Sequence, residues 1–573
     1  MSKIAAIQIK NFRRFKKFYA VFGMRNTICL IGRGDSGKTT LLDAISFCLA
    51  PSWNIPISDY DFYNCNVKEP IEISVVITGI PDEFKLMYKY GLYCSGWDVD
   101  NQKIIDATED GSLTALMIVL TVDESLEPRW EVVNHTSGER TTISAKDRAR
   151  LNVYMVSDFV NNHFAWASGS PLNSLSHAAG ESLDTASLLG VMRKIRESSK
   201  EINFGDFSEL LGTIERQATT LGLSSGKLSP AFDMKRLAVK EGSVCLHNNQ
   251  DLPLRLMGKG SRRLMSIAIQ SAVSSGNGIT LIDEIEQGLE PDRICHLVNT
   301  LNRNTEGQTF FTTHSSEALA EMNSDDVFWI KDVSTPVVLT ADAQGLVRNS
   351  PWAFFGRKVI LCEGKTECGF CRRMGIFFES NGHEPLSSIG VTIVNGEGSK
   401  FSKYADVLAK LRMPFLLFCD SDEKTANARK IALAQSGVCV VEWADQDSFE
   451  QGIYKELPDS GVVALNKLAC ELKSMDGTDV ESARTSIIAL VQNLDRGVTA
   501  DVLFANDASF SSSLRTMLGR IAKGKKEGGG AWFKNVTGGM RVGEIVCGLY
   551  DALPLDGYVK KNIQAMEKWL FDV

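Results

Sequence analysis

Gly32-Arg33-Gly34-Asp35-Ser36-Gly37-Lys38-Thr39 decides the reading of this chain. The stretch fits GxxxxGK[ST]. It follows the apolar run Thr27 to Ile31 and opens a helix-forming segment, Leu41 to Leu49. Strand, glycine-rich turn and helix are the context in which this motif binds phosphate. Glycines let backbone N–H groups close round phosphate oxygens, and the helix N-terminus adds positive potential. Gly32, Gly34, Ser36 and Gly37 would shape the cradle. Lys38 would reach the β- and γ-phosphates of ATP, and the Thr39 hydroxyl would bind Mg²⁺. The expectation is an α/β domain of the P-loop class.

Working outward, Ile279-Thr280-Leu281-Ile282-Asp283-Glu284 is an apolar strand ending in two acids. Beside a phosphate cradle, Asp283 is the expected Mg²⁺ holder and Glu284 the residue that orients or deprotonates the attacking water. Thr309 to Thr312 reads as the next strand, and His314 just beyond it is placed to contact the γ-phosphate. Further strands are expected at 3–9, 71–77, 115–122, 153–156 and 235–246, on their apolar patterning. Between Ser168 and about Leu223 the spacing turns helical. Residues 1–160 and 234–350 are therefore expected to form one domain, interrupted by a helical insertion at 161–233 that would serve dimerisation. The polar, turn-rich block Ser334 to Ser350, followed by Pro351, marks the expected end of that domain.

From residue 351 to 573 the rhythm changes. Short apolar runs recur at Val359–Cys362, Val391–Val394, Phe415–Cys419 and Val438–Glu442, each gap long enough for one helix. That is the pattern of βαβ units and a parallel sheet. The region 453–573 is mainly helical in pattern. Two of the strands end in acids: Glu363, with Glu367 one helical turn on, and Asp420-Ser421-Asp422. In a parallel sheet both sets lie at the C-terminal edge of the strands, where α/β sites form. So many carboxylates cannot all stay ionised together without cations, and a divalent metal is the natural partner.

Composition sets the outer bounds. With 573 residues, two or three domains are expected. Apolar content of 44% and charged content of 23% suit a globular protein, and no run approaches ~18 apolar residues, so no membrane span is expected. The start of the chain carries no apolar signal-like region, which makes a cytoplasmic protein the expectation. A net charge of −8 does not settle nucleic-acid binding. The thirteen cysteines are expected to be reduced core residues, Cys362, Cys368 and Cys371 included. The seven histidines do not cluster, so carboxylates would hold the metal, favouring Mg²⁺ or Mn²⁺.

On these motifs a resemblance emerges. Ile7-Gln8-Ile9-Lys10-Asn11-Phe12-Arg13-Arg14-Phe15 resembles the first strand of RecF, SMC and OLD (overcoming lysogenisation defect) ATPases. Gly258-Lys259-Gly260-Ser261-Arg262-Arg263 stands where the ABC signature belongs, although it departs from LSGGQ. In ABC ATPases this segment caps nucleotide on the other protomer, so the resemblance implies that Gly260 and Ser261 bind in trans and that the protein is a homodimer or higher oligomer. Arg262 and Arg263 also suit a plain solvated helix face. Between Lys38 and Gly258 there are no sustained heptads, which argues against an SMC role.

The strand-end acids resemble the Toprim fold of topoisomerases, primases and OLD nucleases. In that resemblance Glu363, Glu367, Asp420 and Asp422 are metal ligands, and Asn395-Gly396-Glu397-Gly398 is the intervening turn. A further ligand would come from Asp447 or Glu450, with Glu450 preferred. OLD nucleases also use a lysine near the C-terminus, and Lys534 in Trp532-Phe533-Lys534-Asn535-Val536 fits that place. Lys523, Lys525 and Lys526 would grip a DNA backbone or form a solvated loop. The OLD resemblance implies an ATP-regulated, metal-dependent DNA endonuclease active in phage defence. It would act beside a helicase, a reverse transcriptase with its nucleic acid, or another partner encoded nearby. The alternative is an ATP-driven sensor or scaffold whose Toprim domain acts on RNA or only binds nucleic acid.

Overall fold

A computed structural model describes residues 2–106, 112–156, 163–166, 170–172, 176, 185–198, 208–220, 227–228, 244–249, 251–274, 278–305, 307–331, 334–421, 424–444, 446–474, 479–524 and 531–572. The chain divides into two compact units. The first comprises Met1–Leu30, Asp35–Thr313 and Asp332–Pro336, the second Ile31–Gly34, His314–Lys331 and Val337–Val573.

In the first unit, β1 (Lys3–Phe12), β2 (Phe15–Val21) and β3 (Thr27–Ile31) precede the P-loop helix Lys38–Cys48. Then follow β4 (Ile71–Thr78), β5 (Ser95–Asp98), β6 (Lys103–Ile105), β7 (Leu113–Val122), β8 (Pro128–Val133), β9 (Arg140–Thr142) and β10 (Val153–Val156). Further along the chain come β11 (Ile279–Ile282) and β12 (Gln308–Thr312). One sheet is antiparallel, in the order β2-β1-β4-β7-β5-β6, with β8 on β7 and β9 on β8. The other is parallel in its β10, β11, β12 and β3 strands, with Ile279 opposite Gln308 and Thr309 opposite Thr27.

Composition explains this division. β3, β11 and β12 are buried along their whole length, as strands covered on both faces must be. β2 (FKKFYAV) exposes both lysines and Tyr19 while burying Phe15, Phe18 and Ala20, as a half-solvated antiparallel edge does. The expected strands at 3–9, 71–77, 115–122, 153–156, 279–282 and 309–312 all form. The antiparallel partners β2, β5, β6, β8 and β9 were not legible. β5 (SGWD) carries Gly and Asp, which disfavour strands, and forms because β7 offers it a ladder. The run expected at 235–246 lies outside the described residues up to 243, and Cys245 makes an isolated bridge to Ala165. Between residues 161 and 233, where the sequence predicts an insertion, helices span Thr185–Ser198 and Ser208–Thr220.

In the second unit, β13 (Val327–Trp329) and β14 (Val337–Val338) pair antiparallel. β15 (Lys358–Cys362), β16 (Val391–Asn395), β17 (Phe415–Phe418) and β18 (Cys439–Val441) form a wholly parallel sheet in the order β16-β15-β17-β18. Helices Lys365–Ser380, Phe401–Lys410 and Lys424–Gln435 fill the three gaps, as the βαβ rhythm predicts. The C-terminal helices do not stand apart. Ile453, Leu468, Ile487, Leu518, Val542 and Ile563 share one buried core with Ile360, Leu416 and Val441.

Candidate functional site

The phosphate cradle is built by a turn that only glycine can close. Gly37 has φ 104, and a Cβ there would fall 2.6 Å from Phe15 Cζ. The helix therefore starts at Lys38, earlier than the apolar pattern from Leu41 predicts. Lys38 is buried; burial lowers its pKa, against the opposing pull of Asp283, Glu284, Glu286 and Asp35. Four acids around one buried lysine mark where phosphate and its cation would sit. Thr39 Oγ1 donates to Asp283 Oδ1 at 3.2 Å, so the two expected Mg²⁺ holders already touch. Gly32 and Gly34 lie in the turn that leaves β3, and Ser36 stands directly before Gly37. His314 belongs to the second unit, where its ring lies 6.5 Å from that of Phe355.

Residues at the end of β12 and just beyond it organise the acids. Thr312 Oγ1 donates to Asp283 Oδ1 at 2.7 Å and accepts from Glu284 N at 2.6 Å. Thr313 Oγ1 donates to Glu286 Oε2 at 2.8 Å. Sequence reading passed over both threonines in favour of the histidine beside them. The solvated helix face that residue type allows for Arg263 does not form. Arg263 is buried, with its guanidinium on the Asp283 carbonyl and, at 2.9 Å, on Gln287 Oε1. Gly260, at the start of the helix Lys259–Ser274, is packed so tightly that a Cβ would fall 2.1 Å from Gly288 O. Its neighbour Ser261 is half-buried.

The second set of acids gathers at the C-terminal edge of β15 and β17. Glu363 N donates to Phe418 O, and Glu363 Oε2 accepts from Asp420 N at 2.9 Å, which ties the two strand ends together. Asp420 Oδ1 accepts from Phe449 N at 2.8 Å, at the start of the helix Phe449–Glu456. That helix carries Glu450, whose carboxylate is fully buried and accepts from Ser448 Oγ at 3.0 Å and Lys534 Nζ at 2.6 Å. Asp447, the other expected candidate, is held instead by both oxygens on Lys455 Nζ, at 2.6 and 2.7 Å. Asp422, Lys525 and Lys526 lie outside the described residues; Lys523 ends the helix Ser512–Lys523.

Lys534 reaches the acids because two helices pack through glycine. A Cβ on Gly369 would meet Val536 O at 2.1 Å, and one on Gly539 would meet Thr366 O at 1.9 Å. Thr366 Oγ1 also donates to Phe533 O at 3.0 Å, fixing the residue before the lysine. Cys362, Cys368 and Cys371 lie buried behind the acids, with Cys362 Sγ 3.7 Å from Cys371 Sγ, and burial pushes the Cys362 thiol well up.

Crowding dominates the electrostatics. Burial, reinforced by Glu450, pushes the Glu367 carboxyl up to about 7. Burial, reinforced by Glu367, Glu450 and Glu363, holds Asp420 well above the usual carboxylate range. For Lys534, burial would lower the ammonium, but the charge and hydrogen bond of Glu450 outweigh it, and its pKa is raised. The donor set is all carboxylate oxygen, which suits a hard divalent cation, and the mutual repulsion is what such a cation relieves. Among the described residues no group of three or more acids, thiols or imidazoles is arranged so that it could hold a metal ion as it stands. Glu363, Asp420 and Glu450 each spend carboxylate oxygen on protein donors.

A phosphate cradle with strand-end acids in one unit, and a carboxylate cluster on a parallel sheet in the other, define an ATPase joined to a Toprim-type α/β domain. Residues 2–157 match the family model of the AAA ATPase domain, and residues 151–320 that of "AAA domain, putative AbiEii toxin, Type IV TA system". Residues 354–422 match "Overcoming lysogenization defect protein-like, TOPRIM domain". ATPase domains followed by an OLD-like Toprim domain match an OLD-family ATPase–Toprim fusion. Among solved structures, the chain is similar to the Smc head domain with an extended coiled coil bound to the C-terminal domain of ScpA from Pyrococcus furiosus. The identity is 13%, covering 61% of this chain and 98% of that one, with a TM-score of 0.33. It is also similar to the SMC head domain from Thermotoga maritima, at 12% identity over 59% of this chain and 99% of that one, with a TM-score of 0.27. No curated protein matches the chain. No helix among the described residues is long and apolar enough to cross a membrane.

Proposed function

We propose that this protein is a DNA endonuclease that binds and hydrolyses ATP, cuts phosphodiesters with Mg²⁺ or Mn²⁺, and serves as the effector of an anti-phage defence system. The observation that carries the reading is the convergence of Glu363, Glu367, Asp420 and Glu450 with Lys534 at one strand-end edge. Glu363, Glu367, Asp420 and Glu450 would hold the metal, with Asp422 completing the set. The bound metal would activate water and stabilise the leaving oxygen. Lys534 brings a cationic donor to the place where phosphate charge grows in the transition state. Lys523, with Lys525 and Lys526, would follow the DNA backbone.

In the ATPase, Lys38 and Thr39 would hold phosphate and Mg²⁺ with Asp283, Glu284 would activate water, and His314 would meet the γ-phosphate. Gly260 and Ser261 would cap nucleotide on a second copy. The insertion helices, which expose Val191, Leu210 and Ile214, would assist that pairing. The test is cleavage of supercoiled plasmid with Mg²⁺ or Mn²⁺, with and without ATP. Nicked or linear product that disappears with chelator or with Asp420→Ala is expected. A plaque assay with the same variant tests the defence role, and full protection by Asp420→Ala would mean that the Toprim domain is not the effector.

A further inference from the structure

We infer that Thr312 is the positioning residue for ATP hydrolysis, its single hydroxyl locking the Asp283 carboxylate and the Glu284 backbone into one geometry. The inference rests on the ATPase reading of the first unit.

Glu284 has φ 49, in the left-handed region that a side chain with a Cβ disfavours. Such a conformation persists where neighbours over-determine it, and it concentrates at functional sites. Here the neighbour is Thr312. Its Oγ1 accepts from Glu284 N at 2.6 Å, and its backbone carbonyl accepts from Ile285 N at 3.0 Å, so β12 grips both N–H groups that flank the left-handed turn. The same hydroxyl has one proton to give, and it goes to Asp283 Oδ1 at 2.7 Å. Thr39, on the P-loop helix, donates to that same oxygen at 3.2 Å. Asp283 is thus oriented from the phosphate side by Thr39 and from the neighbouring strand by Thr312. From the other side, Arg263 binds the Asp283 carbonyl, clamping the peptide that joins the two acids.

This arrangement separates two tasks. Thr39 and Lys38 would meet the nucleotide, while the hydroxyl of Thr312, which is fully buried, meets Asp283 and the Glu284 backbone. Binding should therefore survive its loss, and the aim of Glu284 should not. Valine has the same branched shape and suits a strand, but it leaves the Glu284 N–H and the Asp283 carboxylate without their partner. Serine keeps the hydroxyl.

The experiment measures ATP hydrolysis by the full chain and, separately, the Kd for a fluorescent ATP analogue, in wild type, Thr312→Val, Thr312→Ala and Thr312→Ser. Valine and alanine should each lower kcat by about 10- to 100-fold, the worth of a hydrogen bond to a charged group. Their Kd should stay within about threefold of wild type, the mark of an interaction used after binding. Serine should recover most of the rate. Alanine, which adds no bulk, keeps the test open should valine not fold. Wild-type kcat in both variants would overturn the inference, as would a Kd that weakens in step with kcat or a serine variant as slow as alanine. A wild type that neither binds nor hydrolyses ATP would overturn the ATPase reading itself, and the inference with it.

Discussion

The two acid sites of this chain solve the same electrostatic problem in opposite ways. Around Asp283 and Glu284, hydroxyls from Thr39 and Thr312 hold one carboxylate oxygen, and the buried Lys38 carries the balancing charge. Around Glu367, Asp420 and Glu450, buried acids crowd one another, and Lys534 is the cation that meets them. The first site is pre-set to receive a nucleotide that brings its own charge and metal. The second holds more negative charge than its lysine can neutralise, so two of its carboxyls are driven toward the protonated form. One region is organised by hydroxyl donors on a carboxylate and the other by a shortage of cations.

If that contrast is right, the sites must fail separately. Asp420→Ala or Glu363→Ala should reduce plasmid cleavage to the buffer rate while ATP hydrolysis continues, as parallel assays of one preparation would reveal. Loss of both activities together would join the two sites into one machine. Within the ATPase, Glu284→Gln should slow hydrolysis by roughly 10²- to 10⁴-fold, the usual contribution of a general base, with nucleotide still bound. Lys38→Ala should lose nucleotide binding instead, since it removes the cation that meets phosphate. Equal binding losses in both variants would contradict this division.

A subtler change separates the two jobs assigned to Lys534. Lys534→Met should slow cleavage by roughly 10²-fold, as loss of a charge-stabilising donor does. It should also lower the melting temperature of the metal-free protein, because Glu450 is left buried without its partner. Mn²⁺, read by titration calorimetry, should bind the variant at least as tightly as wild type, since a competing cation has gone. Markedly weaker Mn²⁺ binding would instead make Lys534 a support of the metal site.

The smallest effect is in pH. Glu367 is raised from the ordinary carboxylate range to about 7, so the folded metal-free protein holds a proton that the unfolded chain has released. That stability is fully present below the ordinary carboxylate range and is lost as pH rises through about 7, by roughly 1–3 kcal/mol. Melting scans from pH 5 to pH 8, a window set by that shift, should show the decline, which Mn²⁺ reverses and Glu367→Gln flattens. A melting temperature that rises over the same interval would remove the crowding account.

Legibility differed in the same way between the two regions. The strand-end acids Glu363 and Asp420 could be read directly, because a parallel strand buried on both faces is a short apolar run, and the polar residue that ends it lies at the sheet edge. The P-loop could be read because its function is carried by consecutive backbone groups. Thr312 could not, because it ends a strand as threonines ordinarily do, and the partners of its hydroxyl, Asp283 and Glu284, stand just beyond β11, far away in sequence. Between Glu450 and Asp447 residue type and position after the fourth strand do not decide, because the distinction is one of direction along a helix start. Asp447 turns to Lys455, and Glu450 turns inward to Lys534.

By itself, then, the sequence determined the α/β elements, their order, the cradle and the acids at two strand ends, since these depend on local periodicity and on glycine at fixed places. Tertiary structure alone decided the antiparallel sheet around β5, β6, β8 and β9, strands of three to six residues too short to show a period by themselves. It alone brought Lys534 to Glu450, through the close approach of Gly369 and Gly539 between two helices. It alone set Thr312 between Asp283 and Glu284. The physical reason is common to all three. A hydrogen bond or a glycine contact across long sequence separation is fixed by how elements pack, and local residue pattern carries no record of it.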